Sequence, residues 1–99
     1  MTVSILMCTY NGEKYIKDQL ESIYQQNLQP DEVWIIDDCS KDSTVSIIKS
    51  FITEHNLGNC WHCEKNKTNI GYASNFKNGI TRVKGDIIFF SYQDDIWNS

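Results

Sequence analysis

The 99-residue sequence is poor in basic residues, proline and long apolar runs. Nine Lys and Arg stand against 13 Asp and Glu, which gives a net charge of -4 and a pI near 4.9. Nucleic-acid surfaces need clustered Lys and Arg, so this composition argues against a nucleic-acid partner. No segment approaches the ~18 apolar residues of a membrane span, so we expect no transmembrane segment. A single proline and 40% hydrophobic residues are typical of one globular domain without a linker.

A secretory leader is also not recognisable, because the first apolar run has neither a basic region before it nor a cleavage site after it. We therefore expect a cytoplasmic protein, or one peripheral to the inner face of the membrane. In that compartment the four cysteines are expected to be free thiols (Cys8, Cys39, Cys60 and Cys63). The Cys60/Cys63 pair lacks the second pair of a tetrahedral zinc site, and a strand would send the two side chains to opposite faces.

Apolar runs of strand length alternate with helical patterns along the chain. Strands are predicted at residues 3–7, 32–36, 59–64 and 86–91, and the first helix at 13–26. The second helix begins at a cap, Ser40 or Asp42, and the third turns Ala73, Phe76, Ile80 and Val83 inward. Residues 87–90 lack polar alternation, which predicts a strand covered on both faces. The order β-α-β-α-β-α-β indicates an α/β fold with three α/β/α layers around a mostly parallel, Rossmann-like sheet.

Polar side chains gather where the predicted strands end. In open α/β sheets, ligands bind beyond the carboxyl ends of the strands. The four loops at that edge carry Thr9, Tyr10, Asn11, Asp37, Asp38, Asn66, Asn69, Asp94 and Asp95. The adjacent carboxylates of Asp94 and Asp95 are the oxygen ligands that a divalent cation prefers. The sequence therefore predicts a polar ligand site at this edge.

Glycine-rich phosphate loops are absent. The turn after the first strand supplies only Gly12, without the G-x-G-x-x-G pattern, and no Walker loop occurs. A phosphate-bearing ligand in so acidic a pocket would need a bridging metal ion. A sugar nucleotide is the kind of ligand that fits.

Four segments carry a resemblance to a known family. They are VSILMCTYNG at 3–12, VWIIDDCSKDST at 33–44, NIGYASNFKNGI at 69–80 and GDIIFFSYQDDIW at 85–97. In order and spacing they resemble the nucleotide-binding half of family 2 inverting glycosyltransferases of the GT-A fold. Within the last two segments, the pieces SNF at 74–76 and QDDIW at 93–97 are similar to bacterial rhamnosyltransferase-like members.

The resemblance implies roles for the base-binding residues. Thr9 and Tyr10 would line the base pocket, with Tyr10 stacked on uracil or thymine. Asp38 would accept the base N3–H, with Asp37 as its structural neighbour. Asn69 would shape the loop beside the diphosphate or, equally, only cap the third helix, and the same alternatives apply to Gly71.

The resemblance also implies a metal site after the last strand. Asp94 would contact the ribose or diphosphate region, and Asp95, together with Asp94, would bind Mg²⁺ or Mn²⁺. The rhamnosyltransferase-like members commonly read Asp-Gln-Asp-Asp, whereas this chain reads Tyr92-Gln93-Asp94-Asp95. The phenol of Tyr92 therefore stands where a carboxylate is expected, and this replacement affects the expected affinity for the metal or the ribose.

The implied function is transfer of a sugar from a UDP- or dTDP-sugar to a glycan or lipid-linked acceptor, in bacterial surface polysaccharide synthesis. The general base is expected beyond Ser99, so residues 1–99 are expected to be the nucleotide-sugar-binding part of a truncated domain, inactive alone. The last strand is expected to leave an unpaired edge that promotes self-association. The alternative is a non-enzymatic, receiver-like or protein-interaction α/β module, in which Asp37 and Asp38 line a phospho-acceptor pocket.

Overall fold

The computed structural model describes residues 1–26 and 29–92. Four strands alternate with three helices, as the hydrophobic pattern predicts. They are β1 (Val3–Thr9), α1 (Ile16–Tyr24), β2 (Glu32–Asp37), α2 (Thr44–Glu54), β3 (Trp61–Lys65), α3 (Tyr72–Ile80) and β4 (Ile87–Tyr92). Within these ranges, no helix has the length and apolar character needed to cross a bilayer.

The strands form one parallel sheet in the order β3-β2-β1-β4. Thr9 pairs with Asp37 across β1 and β2, so the ends of these two strands lie side by side. This order is that of the first four strands of a classic Rossmann sheet, whose strand order reverses between β1 and β4. The predicted α/β class and parallel topology are confirmed.

One face of the sheet carries α1 and α2. Its core cluster joins residues of both helices to alternate positions of the strands: Ile5, Met7, Ile16, Leu20, Ile23, Val33, Ile35, Ile48, Phe51 and Trp61. All are at most 5% exposed. Alternation along β1 and β2 sends the intervening side chains to the opposite face, because successive residues of a strand point in opposite directions.

The opposite face of the sheet carries α3, which completes the three layers. Gly79 lets the helix approach closely, since a Cβ there would lie 2.7 Å from Leu6 Cδ1 and 3.1 Å from Ile36 Cγ1. The predicted inward stripe is wrong at Ala73, which is exposed. The buried residues of α3 are Asn75 and Gly79. An apolar pattern could not show this because one of them is polar and the other has no side chain.

The first helix begins later than predicted, at Ile16 rather than at residue 13. Glu13 is instead bonded to the loop before α2: its N–H donates to Asp42 Oδ2 at 3.2 Å, and its Oε1 accepts the Ser43 N–H at 2.8 Å. Residues 12–16 still form a hydrogen-bonded turn, in which the Gly12 carbonyl accepts the N–H groups of Tyr15 and Ile16, both at 2.9 Å. The offset exceeds the one or two residues by which boundary assignments usually differ.

The prediction that β4 is covered on both faces is wrong for the described residues. Ile87 is 38% exposed, Phe89 58% and Phe90 42%. Among the described residues, the strand pairs only with β1 and ends the sheet. Helix α3 reaches it through Phe76, whose ring centroid lies 4.9 Å from that of Phe90. The apolar run correctly indicated a strand, but its burial depends on what lies beside the sheet.

A hydrogen-bonded cluster ties β1, β2 and the turn before β4 together at the amino edge of the sheet. Glu32 accepts bonds from the Ser4 hydroxyl at 2.5 Å, the Lys84 N–H at 2.5 Å and the Trp34 indole at 2.9 Å. The Gly85 N–H donates to Ser4 Oγ at 2.8 Å. Burial alone would raise the pKa of Glu32, but these hydrogen bonds outweigh it and lower the pKa below 4.5.

Glu32 is therefore expected to make stability depend on pH. Because its pKa is lowered in the folded state, its contribution is present above pH 4.5 and is lost as the pH falls through the folded-state value. Glu32→Gln should lower the free energy of unfolding at pH 7 by about 1 to 2 kcal/mol. In urea melts, the free energy of unfolding of this variant should fall less steeply below pH 4.5 than that of the parent chain. Glu54→Gln, on the exposed side of α2, is the control, and equal acid sensitivity in both variants would contradict this role.

Candidate functional site

The end of β2 holds two adjacent carboxylates in different surroundings. Asp37 is fully buried, and its Oδ1 accepts the hydroxyls of Thr9 at 2.7 Å and Ser40 at 2.6 Å. Its Oδ2 accepts the Ser40 N–H at 2.7 Å. This carboxylate joins the ends of β1 and β2, which is the structural position expected for it. The Thr9 hydroxyl, in a residue 2% exposed, supports Asp37.

Asp38 anchors the loop between β3 and α3. Its Oδ1 accepts the Ile70 N–H at 2.8 Å and the Asn66 side-chain amide at 3.0 Å, and its Oδ2 accepts the Gly71 N–H at 2.9 Å. The Asn69 side chain donates to the Asp38 carbonyl at 3.3 Å. Asp38 is 3% exposed and lies at the carboxyl edge of the sheet.

Gly71 takes the helix-cap position, which is one of the two alternatives that the sequence left open. Its φ of 89° and ψ of 157° belong to a region that is essentially restricted to glycine, and it is the N-cap residue of α3. Its N–H bonds Asp38 while its carbonyl accepts the Asn75 N–H at 2.9 Å. Asn69 takes part through the Asp38 carbonyl, within the loop before this cap.

The loops after β1 and β2 are bonded to each other around two residues with positive φ, Asn11 (48°) and Cys39 (65°). The Asn11 N–H donates to Ser40 Oγ at 2.7 Å, and its Oδ1 accepts the Lys41 N–H at 2.8 Å. Both proposed caps of the second helix are wrong, because its N-cap residue is Ser43. Asp42 accepts the Thr44 N–H at 3.0 Å from the position before this cap, and Ser40 bonds Asp37 and Asn11. The two loops therefore form one rigid rim.

Tyr10 stands on this rim beside the carboxylates. It is 42% exposed, although the preceding residue is buried. The end of β1 therefore carries an aromatic ring that is partly open to solvent. Together with Asp38, it places an aromatic surface and a buried carboxylate at the ends of neighbouring strands.

The predicted metal ligands Asp94 and Asp95 lie outside the described residues. Within residues 1–26 and 29–92, no cluster of three or more His, Cys, Asp or Glu side chains could hold a metal ion. Asp37 and Asp38 face hydrogen-bond donors, which makes them poor metal ligands as they stand. A cation at this edge would therefore depend on the carboxylates that follow β4.

The cysteines show no sign of thiol chemistry. Burial, with a smaller contribution from Asp38, raises the pKa of Cys8 to about 11. Burial is also the main reason that the pKa of Cys63 is raised to about 11. The expected separation of Cys60 and Cys63 is wrong: Cys60 precedes β3, and both pack against the same core cluster. The four cysteines are free, and the raised pKa makes the thiols of Cys8 and Cys63 poor nucleophiles.

Asn75 is a buried polar residue to which no motif in the sequence gives a role. It is 1% exposed on α3, and its side chain bonds both β2 and the Asn66 amide. The available signal was a polar residue four positions before the closely packed Gly79, on the same side of the helix.

Comparison with known proteins now bears on this site. Residues 4–99 match glycosyl transferase family 2. The chain is 32% identical over 101 residues to the Staphylococcus aureus poly(ribitol-phosphate) beta-N-acetylglucosaminyltransferase TarS, covering 99% of this chain and 17% of TarS. It is 39% identical over 95 residues to the Shigella flexneri dTDP-rhamnosyl transferase RfbG, covering 92% of this chain and 32% of RfbG. The chain thus spans less than a third of either relative.

Solved structures share the fold. S. aureus TarS in complex with UDP superposes with a TM-score of 0.80 at 30% identity, over 95% of this chain and 28% of that one. The Pyrobaculum calidifontis mannosyltransferase PcManGT, in complex with GDP-Man and Mn²⁺, superposes with a TM-score of 0.82 at 24% identity, over 93% of this chain and 27% of that one. Together with the match over residues 4–99, the sequence and the sheet show that this chain belongs to glycosyl transferase family 2.

Proposed function

We propose that this chain forms the donor-nucleotide site of a glycosyltransferase. The enzyme would transfer a sugar from a UDP- or dTDP-sugar to a glycan or lipid-linked acceptor of a bacterial surface polysaccharide, in the cytoplasm at the inner face of the membrane. The relatives support this class, since TarS is a beta-N-acetylglucosaminyltransferase and RfbG a dTDP-rhamnosyl transferase. Residues 1–99 would bind donor nucleotide, and the general base would lie beyond Ser99.

The observation that carries the proposal is that Tyr10 and Asp38 follow the paired ends of two adjacent strands, β1 and β2. A pyrimidine base has a flat face to stack and an N3–H to donate, and the rim offers a partly exposed ring and a carboxylate for these two features. Thr9, below the ring, keeps the two strand ends together through Asp37. Asn69 and Gly71 hold the facing loop.

The diphosphate would lie on the other side of Tyr10. Ligands of Rossmann-like sheets bind where the strand order reverses, which here is the gap between the ends of β1 and β4. Asp94 and Asp95 follow β4 in sequence, separated from it by Gln93 alone. We propose that they bind Mg²⁺ or Mn²⁺, with Asp94 also contacting the ribose or diphosphate. The cation would supply positive charge between the carboxylates and the phosphates.

The receiver-like alternative finds less support. Receiver sheets have β1 between β2 and β3, whereas here β1 lies between β2 and β4. The Asp37 carboxylate is also fully buried and already accepts the hydroxyls of Thr9 and Ser40 and the Ser40 N–H, which makes it a poor phospho-acceptor.

Thermal denaturation with ligands tests the proposal against this alternative. UDP or dTDP with Mn²⁺ is expected to raise the melting temperature, because a ligand present at 100 times its Kd stabilises a fold by about 2.7 kcal/mol. Beryllofluoride with Mg²⁺, a phosphoryl mimic, is expected to leave it unchanged. A shift with beryllofluoride and none with either nucleotide would reverse the assignment.

We further propose that the chain self-associates through β4. The strand ends the described sheet with Phe89 58% exposed, and an apolar sheet edge invites pairing with another chain. Light scattering should show the molar mass rising with concentration, and Phe89→Lys should shift the chain toward monomer. Lys14→Ala, on an exposed residue far along the chain, is the control. A parent chain that stays monomeric at high concentration, with slow exchange of the β4 amides, would show that the edge is already covered.

A further inference from the structure

A buried amide on α3 connects the helix to the nucleotide site. Asn75 is 1% exposed and faces the sheet. Its Nδ2 donates to the Ile36 carbonyl of β2 at 3.0 Å, and its Oδ1 accepts Asn66 Nδ2 at 2.8 Å. Burying an amide is unfavourable unless its polar atoms are bonded, and here the bonds at both ends are made. The bonds lead from the core of the sheet toward Asp38.

The Ile36 carbonyl fixes the direction of this chain of bonds. A carbonyl oxygen can only accept, so Asn75 must turn its NH₂ toward β2 and its oxygen toward Asn66. Asn66 must then turn its NH₂ group toward Asn75. The same nitrogen, Nδ2, uses its second hydrogen to donate to Asp38 Oδ1, and the distance between these two atoms is 3.0 Å. The Asn66 N–H, bonded to the Asp37 carbonyl at 2.8 Å, holds its backbone in place.

The two oxygens of the Asp38 carboxylate accept different numbers of hydrogen bonds from the described residues. Each carboxylate oxygen offers about two acceptor sites. Oδ1 accepts both Asn66 and Ile70, whereas Oδ2 accepts only Gly71 among the described residues. Oδ1 is therefore filled by the protein, and the remaining site is on Oδ2.

We propose that the Asn75–Asn66 pair positions Asp38 so that Oδ2 accepts the N3–H of the donor base. The inference rests on the proposed function, in which Asp38 receives that base. Asn75 and Asn66 are positioning residues in this account, since they act through Asp38 and need not touch the ligand. Without Asn75, the Asn66 amide can turn its oxygen toward Asp38, where the two oxygens repel each other. Without Asn66, Oδ1 of Asp38 loses one of its two donors.

Uridine and 3-methyluridine separate positioning from a general structural role. The methyl group removes the N3–H and leaves the stacking face unchanged, so the ratio of the two affinities measures the contact with Asp38. For the parent chain, we expect calorimetry to show a preference for uridine of about 10-fold or more, as one hydrogen bond to a charged acceptor provides.

Two substitutions interrupt the chain of bonds at different depths. Asn75→Leu keeps the approximate size of the side chain, and Asn66→Ala alters only a half-buried loop residue, so it should fold even if the first variant does not. In both, the uridine preference is expected to fall to about 2-fold or less, because the N3–H contact is no longer aligned. Ser74→Ala, exposed on the same helix, should retain the parental ratio.

The possible outcomes separate the positioning role of the two asparagines from the proposed function of the site. If folded Asn66→Ala and Asn75→Leu weaken both nucleosides equally and keep the parental ratio, the positioning role is overturned while the nucleotide site stands. If Asn66→Ala alone folds, its ratio decides. If the parent chain itself fails to prefer uridine, the contact between Asp38 and the base is absent and the proposed function fails at that point.

Discussion

Asp38→Ala should weaken uridine and thymidine binding by about 10-fold to 100-fold, and UDP and dTDP binding with it. A hydrogen bond to a charged acceptor contributes about 1.5 to 3 kcal/mol, and 1.4 kcal/mol is a factor of ten in affinity. The substitution also leaves the N–H groups of Ile70 and Gly71 and the Asn66 amide without their acceptor. Calorimetry on folded protein measures the effect directly.

Asp31→Ala is the matched control for this substitution. Asp31 Oδ2 accepts the Val3 N–H at 2.7 Å, so its removal also deletes a bond between a carboxylate and the backbone, but at the amino edge of the sheet. We expect a loss of stability without a loss of nucleoside affinity. Equal nucleoside affinities in the two variants would show that Asp38 is a loop anchor and nothing more.

Chelating the divalent cation should remove most of the affinity for UDP and little of the affinity for uridine. A diphosphate near carboxylates, in a chain of net charge -4, meets repulsion of about 4 kcal/mol per charge pair at 4 Å and an effective dielectric near 20. A cation bound by Asp94 and Asp95 would reverse the sign of that interaction. We expect UDP affinity to drop at least about 10-fold in EDTA.

Asp95→Ala should reproduce the effect of EDTA. The variant is expected to lose the Mn²⁺-dependent part of UDP or dTDP binding and to keep nearly parental affinity for uridine or thymidine. Asp38→Ala is the complementary variant, since it should weaken nucleosides and nucleotides alike. Equal UDP affinity of the parent chain in Mn²⁺ and in EDTA would contradict the proposed metal site.

The order of elements could be predicted from sequence because it depends on local pattern. Short apolar runs alternate with helical stripes, and alternation of strand and helix leads to a parallel sheet. The grouping of polar loops at one edge follows from that topology. Burial of β4 could not be predicted in the same way, because Phe89 becomes exposed or buried according to what covers the end of the sheet.

The different roles of Asp37 and Asp38 can be recognised only from their contacts in three dimensions. Asp37 and Asp38 are adjacent and chemically identical, and only their partners separate them: Thr9 and Ser40 for the first, the backbone of Ile70 and Gly71 for the second. These partners lie up to 33 residues away in sequence. No local pattern contains that information.

Asn75 escaped prediction for a related reason. An apolar pattern scores a buried asparagine as exposed, whereas hydrogen bonds to the Ile36 carbonyl and the Asn66 amide make its burial favourable. The bond to Ile36 spans 39 residues. The helix was therefore predicted correctly, but the side that it turns to the sheet was predicted only in part.

Amide chemical shifts during titration with uridine test the central claim most directly. If the carboxyl edge binds the base, the amides of Tyr10, Asp38, Ile70 and Gly71 should shift together with a single dissociation constant. Those near Glu32 at the amino edge should stay unchanged. Shifts confined to the amino edge, or none at saturating uridine, would contradict the assignment of this edge as the nucleotide site.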